Sequence, residues 1–224
     1  AGIGHVGHDG AKLEAVDELD GALAATLDAE GDHAAAASAV ELLLGKLIVL
    51  VIRQTGGQTG GAQGGETAYE FIELYNNTNH TVNLSNYSIR YYAKPGANAE
   101  SLAENTWKLS GTIAPHSTIV LWFVTTNNKL SVADFNNRYG TSLVGGKDIV
   151  MIVGNPLPDT NPVQLELMTG GKVLTRCWFN WEGAKDVAAA KSILFNYPTN
   201  YTATAVVSKT QVTPTPGTLE EGQM

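Results

Sequence analysis

The stretch Phe71-Ile72-Glu73-Leu74-Tyr75-Asn76-Asn77-Thr78 decides how the rest of the chain is interpreted. Apolar side chains alternate along Tyr69–Tyr75, which is the pattern of a β-strand with one face in a core. The asparagine-rich cluster over residues 76–81 is typical of a turn. This stretch therefore predicts a short apolar strand closed by a polar turn.

The same unit recurs on both sides of this stretch. Short runs rich in β-branched and aromatic residues are separated by Gly, Pro, Asn or Asp. We predict strands at Leu47–Ile52, Tyr69–Tyr75, Val82–Tyr91, Trp107–Leu109, Ile113, Ile119–Val124, Ile149–Val153, Val163–Leu167 and Val173–Phe179. Strands of this length and spacing indicate an all-β, immunoglobulin-like sandwich. One helix interrupts them, because Ser131 and Asp134 have capping-box spacing, and we expect it to cross one end of a sheet.

The two ends of the chain differ in composition from this β-rich body. Residues 1–45 hold nine acids and a single base, Lys12, and all seventeen aromatic residues lie at Tyr69 or beyond. Alanine-rich sequence with leucines at helical spacing predicts a short helical or disordered segment there. We therefore divide the chain into an acidic, Ala-rich segment (1–45), a β-sandwich (46–211) and a Pro/Gly linker (212–224).

The charge of the body argues against two classes of partner. From Lys46 onwards there are thirteen bases and thirteen acids, so no basic field attracts nucleic acid or an anionic membrane surface. The longest apolar run, Val40–Ile52, contains charges and is shorter than the ~20 residues that a spanning helix needs. The single cysteine, Cys177, excludes an intrachain disulfide. We predict binding to a protein or to a neighbouring domain of the same chain.

Four motifs of the body resemble a known family. They are Phe71-Ile72-Glu73-Leu74-Tyr75-Asn76, Val82-Asn83-Leu84-Ser85-Asn86-Tyr87, Trp107-Lys108-Leu109 and Gly111-Thr112-Ile113-Ala114-Pro115. This series resembles the bacterial lamin-tail domain, with Asn86 in place of a glycine and His116-Ser117 where glycine is common. The resemblance implies an Ig-like accessory module without catalytic residues or cofactors. It also implies an extracellular or cell-surface bacterial protein that contains a nuclease, a phosphoesterase or another hydrolase.

The residues that could carry catalysis or bind a metal do not form a convincing set. Glu70 and Glu73 lie three apart on a strand and should face opposite sides of the sheet, so a structural role is favoured over a carboxylate pair. The remaining candidates are His5, His8, Asp9 and His33 as metal ligands, and His80, His116 and Cys177 as isolated reactive groups. The first set is broken by glycines and the second lacks partners. We predict no catalytic, cofactor or metal site.

Two features remain as candidate binding elements. The loop from Thr55 to Gly65 is rich in glycine but lacks the Gly-Lys-Ser/Thr ending of a phosphate loop, so it is a mobile or recognition loop. Trp181 falls at the end of a strand, and with Tyr91, Tyr92 or Tyr201 it would suit stacking on sugars. A carbohydrate-binding module is therefore the alternative to a positioning module. A small hydrolytic enzyme is a third and weaker hypothesis.

Overall fold

A computed structural model describes residues 47–54, 68–94, 96, 103–154, 157, 161–188, 190–196, 204–220 and 223, and for residues 47–54 it gives the backbone alone. The chain divides into one unit at Ala1–Leu44 and a second at Gly45–Met224. The predicted N-terminal helices, the loop from Thr55 to Gly65 and Tyr201 lie outside the described residues.

The described part of the body contains two main sheets and a smaller two-stranded one. Its strands are β1 (Leu47–Gln54), β2 (Phe71–Asn76), β3 (Val82–Asn83), β4 (Tyr87–Tyr92), β5 (Asn105–Lys108), β6 (Thr112–Ile113), β7 (Thr118–Val124), β8 (Ile149–Val153), β9 (Val163–Thr169), β10 (Lys172–Phe179), β11 (Lys191–Asn196) and β12 (Val206–Val212). One sheet has the order β12-β11-β1-β2-β7-β8, the other β10-β9-β4-β5, and β3 pairs with β6. Strands β7 and β8 are parallel, whereas the other described pairs are antiparallel.

The core between the sheets follows from the alternation of side chains. Ile72 and Leu74 of β2 point inward with Leu121 of β7 and meet Leu165 and Leu167 of β9 in one buried cluster. The predicted Ig-like sandwich is confirmed. The sequence did not indicate β11 and β12 as separate strands, because an alanine-rich segment precedes one and an exposed polar pattern marks the other.

A second apolar cluster covers the outer face of the larger sheet. Helix α1 (Val132–Tyr139) connects β7 to β8, and its Phe135 packs 5.8 Å from Phe71 and 5.1 Å from Trp122 between ring centroids. Both partners lie on the face of the sheet opposite the main core. The helix therefore lies on a sheet face, which corrects the expectation that it crosses a sheet end. Phe71 and Trp122 supply the aromatic surface on that face against which the helix packs.

The capping box predicted for α1 is confirmed. The carboxylate of Asp134 accepts a hydrogen bond from the Ser131 backbone N–H at 2.7 Å, and the Ser131 hydroxyl oxygen accepts one from the Asp134 N–H at 3.4 Å. These contacts satisfy two N–H groups that a helix start otherwise leaves unpaired. The backbone and side-chain hydrogen bonds from Ser131 also hold the pKa of the Asp134 carboxyl below its ordinary value.

The tail is packed where a linker was predicted. Val212 ends β12, Leu219 packs against the outer apolar cluster and Gln223 is buried. Gly217 has φ of 84°, and a Cβ there would lie 2.6 Å from Leu143, so glycine lets the tail approach the connection between α1 and β8 closely. The composition of the tail predicted a turn but not these contacts, because Leu219 and the Gly217 amide contact residues that are far away in sequence.

We expect Phe135→Ala to lower the free energy of unfolding by about 3–5 kcal/mol, because it opens a cavity between α1 and the sheet. Ser131→Ala should cost only about 1 kcal/mol, because it removes one cap. Denaturant unfolding of both variants checks this difference. Equal losses in the two variants would contradict the assignment of Phe135 as the anchor of the helix.

Candidate functional site

The two glutamates of the motif strand point in opposite directions, as predicted. Glu70 is buried, and its carboxylate accepts a hydrogen bond from the Leu157 backbone N–H at 3.0 Å, next to the main core. Glu73 is buried on the outer face, where its Oε2 accepts from the Gly217 N–H at 2.7 Å. The two carboxylates thus anchor different segments and do not form a catalytic pair.

The pKa of Glu73 departs strongly from that of an ordinary glutamate. Its Oε1 has no hydrogen-bond partner within the described part of the chain. Burial raises the pKa of Glu73 from 4.5 to about 8, the Gly217 hydrogen bond opposes that change, and the negative charge of Glu220 in the tail adds to it. The side chain is therefore mainly protonated at neutral pH, when it fills the space under the tail as an uncharged group.

A third buried acid, Glu166, lies on the outer face of the smaller sheet. It forms an ion pair with Arg176 at 3.0 Å and accepts hydrogen bonds from the Tyr92 hydroxyl at 3.1 Å and from the Gln164 amide at 3.2 Å. Burial, and then the charge of Glu166, raise the pKa of the Tyr92 hydroxyl. These partners satisfy the carboxylate, so the cluster is structural. Its members come from three strands, so their proximity is not evident from the sequence.

The remaining reactive groups stay apart. His116 lies in a turn with its Nε2 2.8 Å from Asn79, and Cys177 is fully buried, where burial raises the pKa of its thiol. Among the described residues there is no cluster of three or more His, Cys, Asp or Glu that could hold a metal ion. No helix in the described ranges is long and apolar enough to cross a membrane. The candidates His5, His8, Asp9 and His33 fall outside those ranges.

Among the aromatic residues proposed for sugar stacking, the three that the structure describes do not share an exposed surface. Tyr92 is fully buried, so it offers no ring face to a ligand, and the ring of Tyr91 stacks on Trp107 at the main core with centroids 6.3 Å apart. The two tyrosines are adjacent on a strand and therefore point to opposite faces. Trp181 is exposed at 39%, as expected from its position after a strand. Its role in glycan binding stays a prediction.

An open groove lies where the two sheets end side by side. Strand β5 is the edge of the smaller sheet and β8 is the edge of the larger one, and the groove between them has a volume of about 310 Å³. Its lining residues are Asn105, Thr106, Trp107, Lys108, Ser110, Val150, Met151, Ile152 and Val153. Lys108 is the single ionisable side chain among them. The sequence indicated both strands but not that they are edges, so it could not predict this groove.

Trp107 and Gly154 set the inner wall of the groove. The indole is buried against Phe123, with centroids 4.8 Å apart. A Cβ at position 154 would lie 2.3 Å from the indole Nε1, so only glycine lets the end of β8 approach the smaller sheet this closely. The Trp107 N–H has no acceptor within the described residues. The groove thus has the buried Trp107 indole at its base.

The match to known proteins agrees with this architecture. The profile of the Lamin Tail Domain family matches residues 49–181, which is more than half of the chain. The chain belongs to the lamin tail domain family. This lamin tail domain is also similar to the uncharacterized protein YvnB of Bacillus subtilis (strain 168), with 31% identity over 205 residues. The match covers 88% of this chain but 15% of YvnB, so the chain spans a small part of that relative.

The match to YvnB also bears on the acidic N-terminal segment. A coverage of 88% of 224 residues is about 197 residues, whereas Gly45–Met224 contains only 180. The similarity must therefore extend into the first unit of the chain. Part of the acidic segment thus has a counterpart in a relative of this lamin tail domain, although the motifs of the body do not reach it.

We expect Glu73 to make the stability of the domain decrease as pH rises. The unfolded state loses this proton near pH 4.5 and the folded state near pH 8. The free energy of unfolding should therefore fall between these values, with a slope of up to about 1.4 kcal/mol per pH unit. Glu73→Gln should remove this dependence and keep the acceptor for Gly217.

Denaturant unfolding at a series of pH values measures the effect. Glu104→Gln, which changes an exposed glutamate, is the matched control and should follow the wild type. Parallel curves for the wild type and Glu73→Gln would show that the folded domain holds Glu73 ionised.

Proposed function

We propose that this lamin tail domain is a non-catalytic module that binds or positions a neighbouring domain within a larger secreted or surface-exposed bacterial protein, beside a hydrolase. The proposal rests on a difference in exposure between the buried acidic side chains and the strand edges at the groove. Glu70, Glu73 and Glu166 are buried, and each accepts a hydrogen bond from its own domain. The strand edges at the β5–β8 groove, by contrast, are exposed and available to a partner.

One further observation supports a role inside a larger polypeptide, and another favours a protein as the partner. The similar stretch in YvnB is a small fraction of that protein, as expected of one module among several. The body has equal numbers of acidic and basic residues, which favours a protein partner over nucleic acid. The hydrolase neighbour and the extracellular or cell-surface location rest on the family resemblance alone.

The native polypeptide provides the first test. Intact-mass measurement and sequencing past Met224 identify what adjoins the module, and we expect a hydrolase domain. Deletion of residues 45–224 should then change kcat on a small soluble substrate by less than about twofold, because the module supplies no reacting group. Activity on the macromolecular substrate should fall further. Loss of activity on the small substrate, or hydrolysis by the isolated chain, would contradict a non-catalytic role.

A glycan panel separates this function from carbohydrate binding. We expect flat titrations, because Tyr91 and Tyr92 do not join Trp181 in an exposed aromatic surface. Trp178→Ala is the matched control for Trp181→Ala, since the two indoles are exposed to 38% and 39%. Saturable binding that Trp181→Ala abolishes and Trp178→Ala preserves would make the chain a carbohydrate-binding module instead.

A further inference from the structure

The backbone of β8 is paired with β7 on one side, and on its other side it has no strand partner among the described residues. Its register with β7 pairs Val120 with Ile149 and Val124 with Val153, and the Gly154 N–H donates to the Val124 carbonyl at 3.0 Å. In a parallel ladder this pattern directs the N–H groups of Val150, Ile152 and Gly154 towards β7. The N–H and C=O groups of Met151 and Val153 consequently point away from the sheet, at its edge.

The open edge begins at Met151 because a loop already fills the position before it. The Ile149 carbonyl accepts from the Gly146 N–H at 2.8 Å, and the Ile149 N–H donates to the Val144 carbonyl at 3.3 Å. The open part of β8 therefore offers two donors and two acceptors, spaced by two residues or about 7 Å. These groups border the groove.

We propose that this edge binds an extended segment of a protein partner as an added β-strand. The inference rests on the proposed function and names the surface through which it acts. An extended main chain carries donors and acceptors at the same two-residue spacing, which a small polar molecule does not reproduce along a strand. The volume of about 310 Å³ is at the lower end of the range for small-molecule pockets, and the groove is open, so it suits a short run of main chain.

The side chains around the edge specify the chemistry of that segment. Met151 and Val153 are exposed at 43% and 61%, whereas sheet edges are commonly protected by charge or proline. Lys108 lines the groove on β5, where it is exposed, and it has no acidic neighbour among the lining residues. The bound segment therefore presents apolar side chains towards Met151 and Val153, and an acidic one towards Lys108.

A second copy of this domain fits the edge less well than a free strand does. The open part of β8 is only two residues long, Met151 and Val153, so pairing with the same edge of a second copy would form at most four main-chain hydrogen bonds, fewer than the roughly 10 of a typical interface. A single extended segment has no second sheet beside it and enters the groove between β5 and β8. We therefore assign the site to a flexible or terminal stretch of a partner.

Selection from a phage-displayed library of random linear peptides on the full chain tests the inference. We expect enriched sequences to alternate apolar and polar residues and to contain an acid. A synthetic copy of the most enriched peptide should slow hydrogen exchange at the Met151 and Val153 amides about tenfold or more. Failure to enrich peptides, or protection confined to other strands, would overturn the proposal. It would leave the positioning role untouched, because that role is measured by hydrolase activity.

Two substitutions at one position separate main-chain pairing from side-chain docking. Met151→Pro removes an outward N–H and no ladder donor, and proline is tolerated at a strand edge, so the fold should persist. It should weaken peptide binding about tenfold or more, whereas Met151→Ala, which keeps the N–H, should have a smaller effect. Circular dichroism and thermal unfolding verify the fold of both variants. Equal effects of the two would exclude strand addition.

A charge reversal provides a test that leaves the backbone unchanged. Lys108→Glu should weaken binding of the acidic peptide, and this loss of affinity should be larger at low salt than at high salt. Lys129→Glu, which changes the charge of another exposed lysine by the same amount, should leave the affinity unchanged. Light scattering of the full chain tests whether a second copy of the chain occupies the β8 edge instead. A dimer that Met151→Pro converts to a monomer would assign the edge to a second copy and overturn the partner proposed above.

Discussion

The burial of β2 on both faces is the constraint on which the rest of the domain depends. Its inward side chains need the smaller sheet, and its outward aromatic side chain Phe71 needs helix α1. The carboxyl of Glu73, on the same outward face, needs the amide of Gly217. One six-residue strand thus determines where three other parts of the domain must lie. A sandwich with one solvent-exposed face would require neither the helix nor the packed tail.

Local patterns predicted most of the fold. The strand pattern at Phe71–Asn76 and the cap of Ser131 with Asp134 depend on residues within a few positions of each other, and both were identified from sequence. The contact between Glu73 and Gly217 joins residues 144 positions apart, so composition alone suggested a linker for the tail. The predicted position of α1 was wrong because it also depends on distant residues. It is set by which face of β2 carries aromatic side chains.

The candidate site was less predictable than the fold. Sequence shows that Met151 lies on a strand, but strand order decides whether that strand is central or at an edge. Tyr92 shows the opposite problem, because an apparently available ring is buried beside Glu166. Exposure is a property of the assembled sheets. Resemblance to a family predicted the Ig-like fold. The open edge of β8, by contrast, is evident only once the order of strands in the two sheets is known.

The position of β1 between β2 and β11 has a consequence for synthesis on the ribosome. Strand β1 is made early, yet its second neighbour, Lys191–Asn196, follows almost 140 residues later. At a synthesis rate of about 5–20 residues per second, β1 waits for several seconds with one edge unpaired. The nascent chain thus carries an aggregation-prone edge until its last strands emerge. Truncation before β11 would make that temporary state permanent.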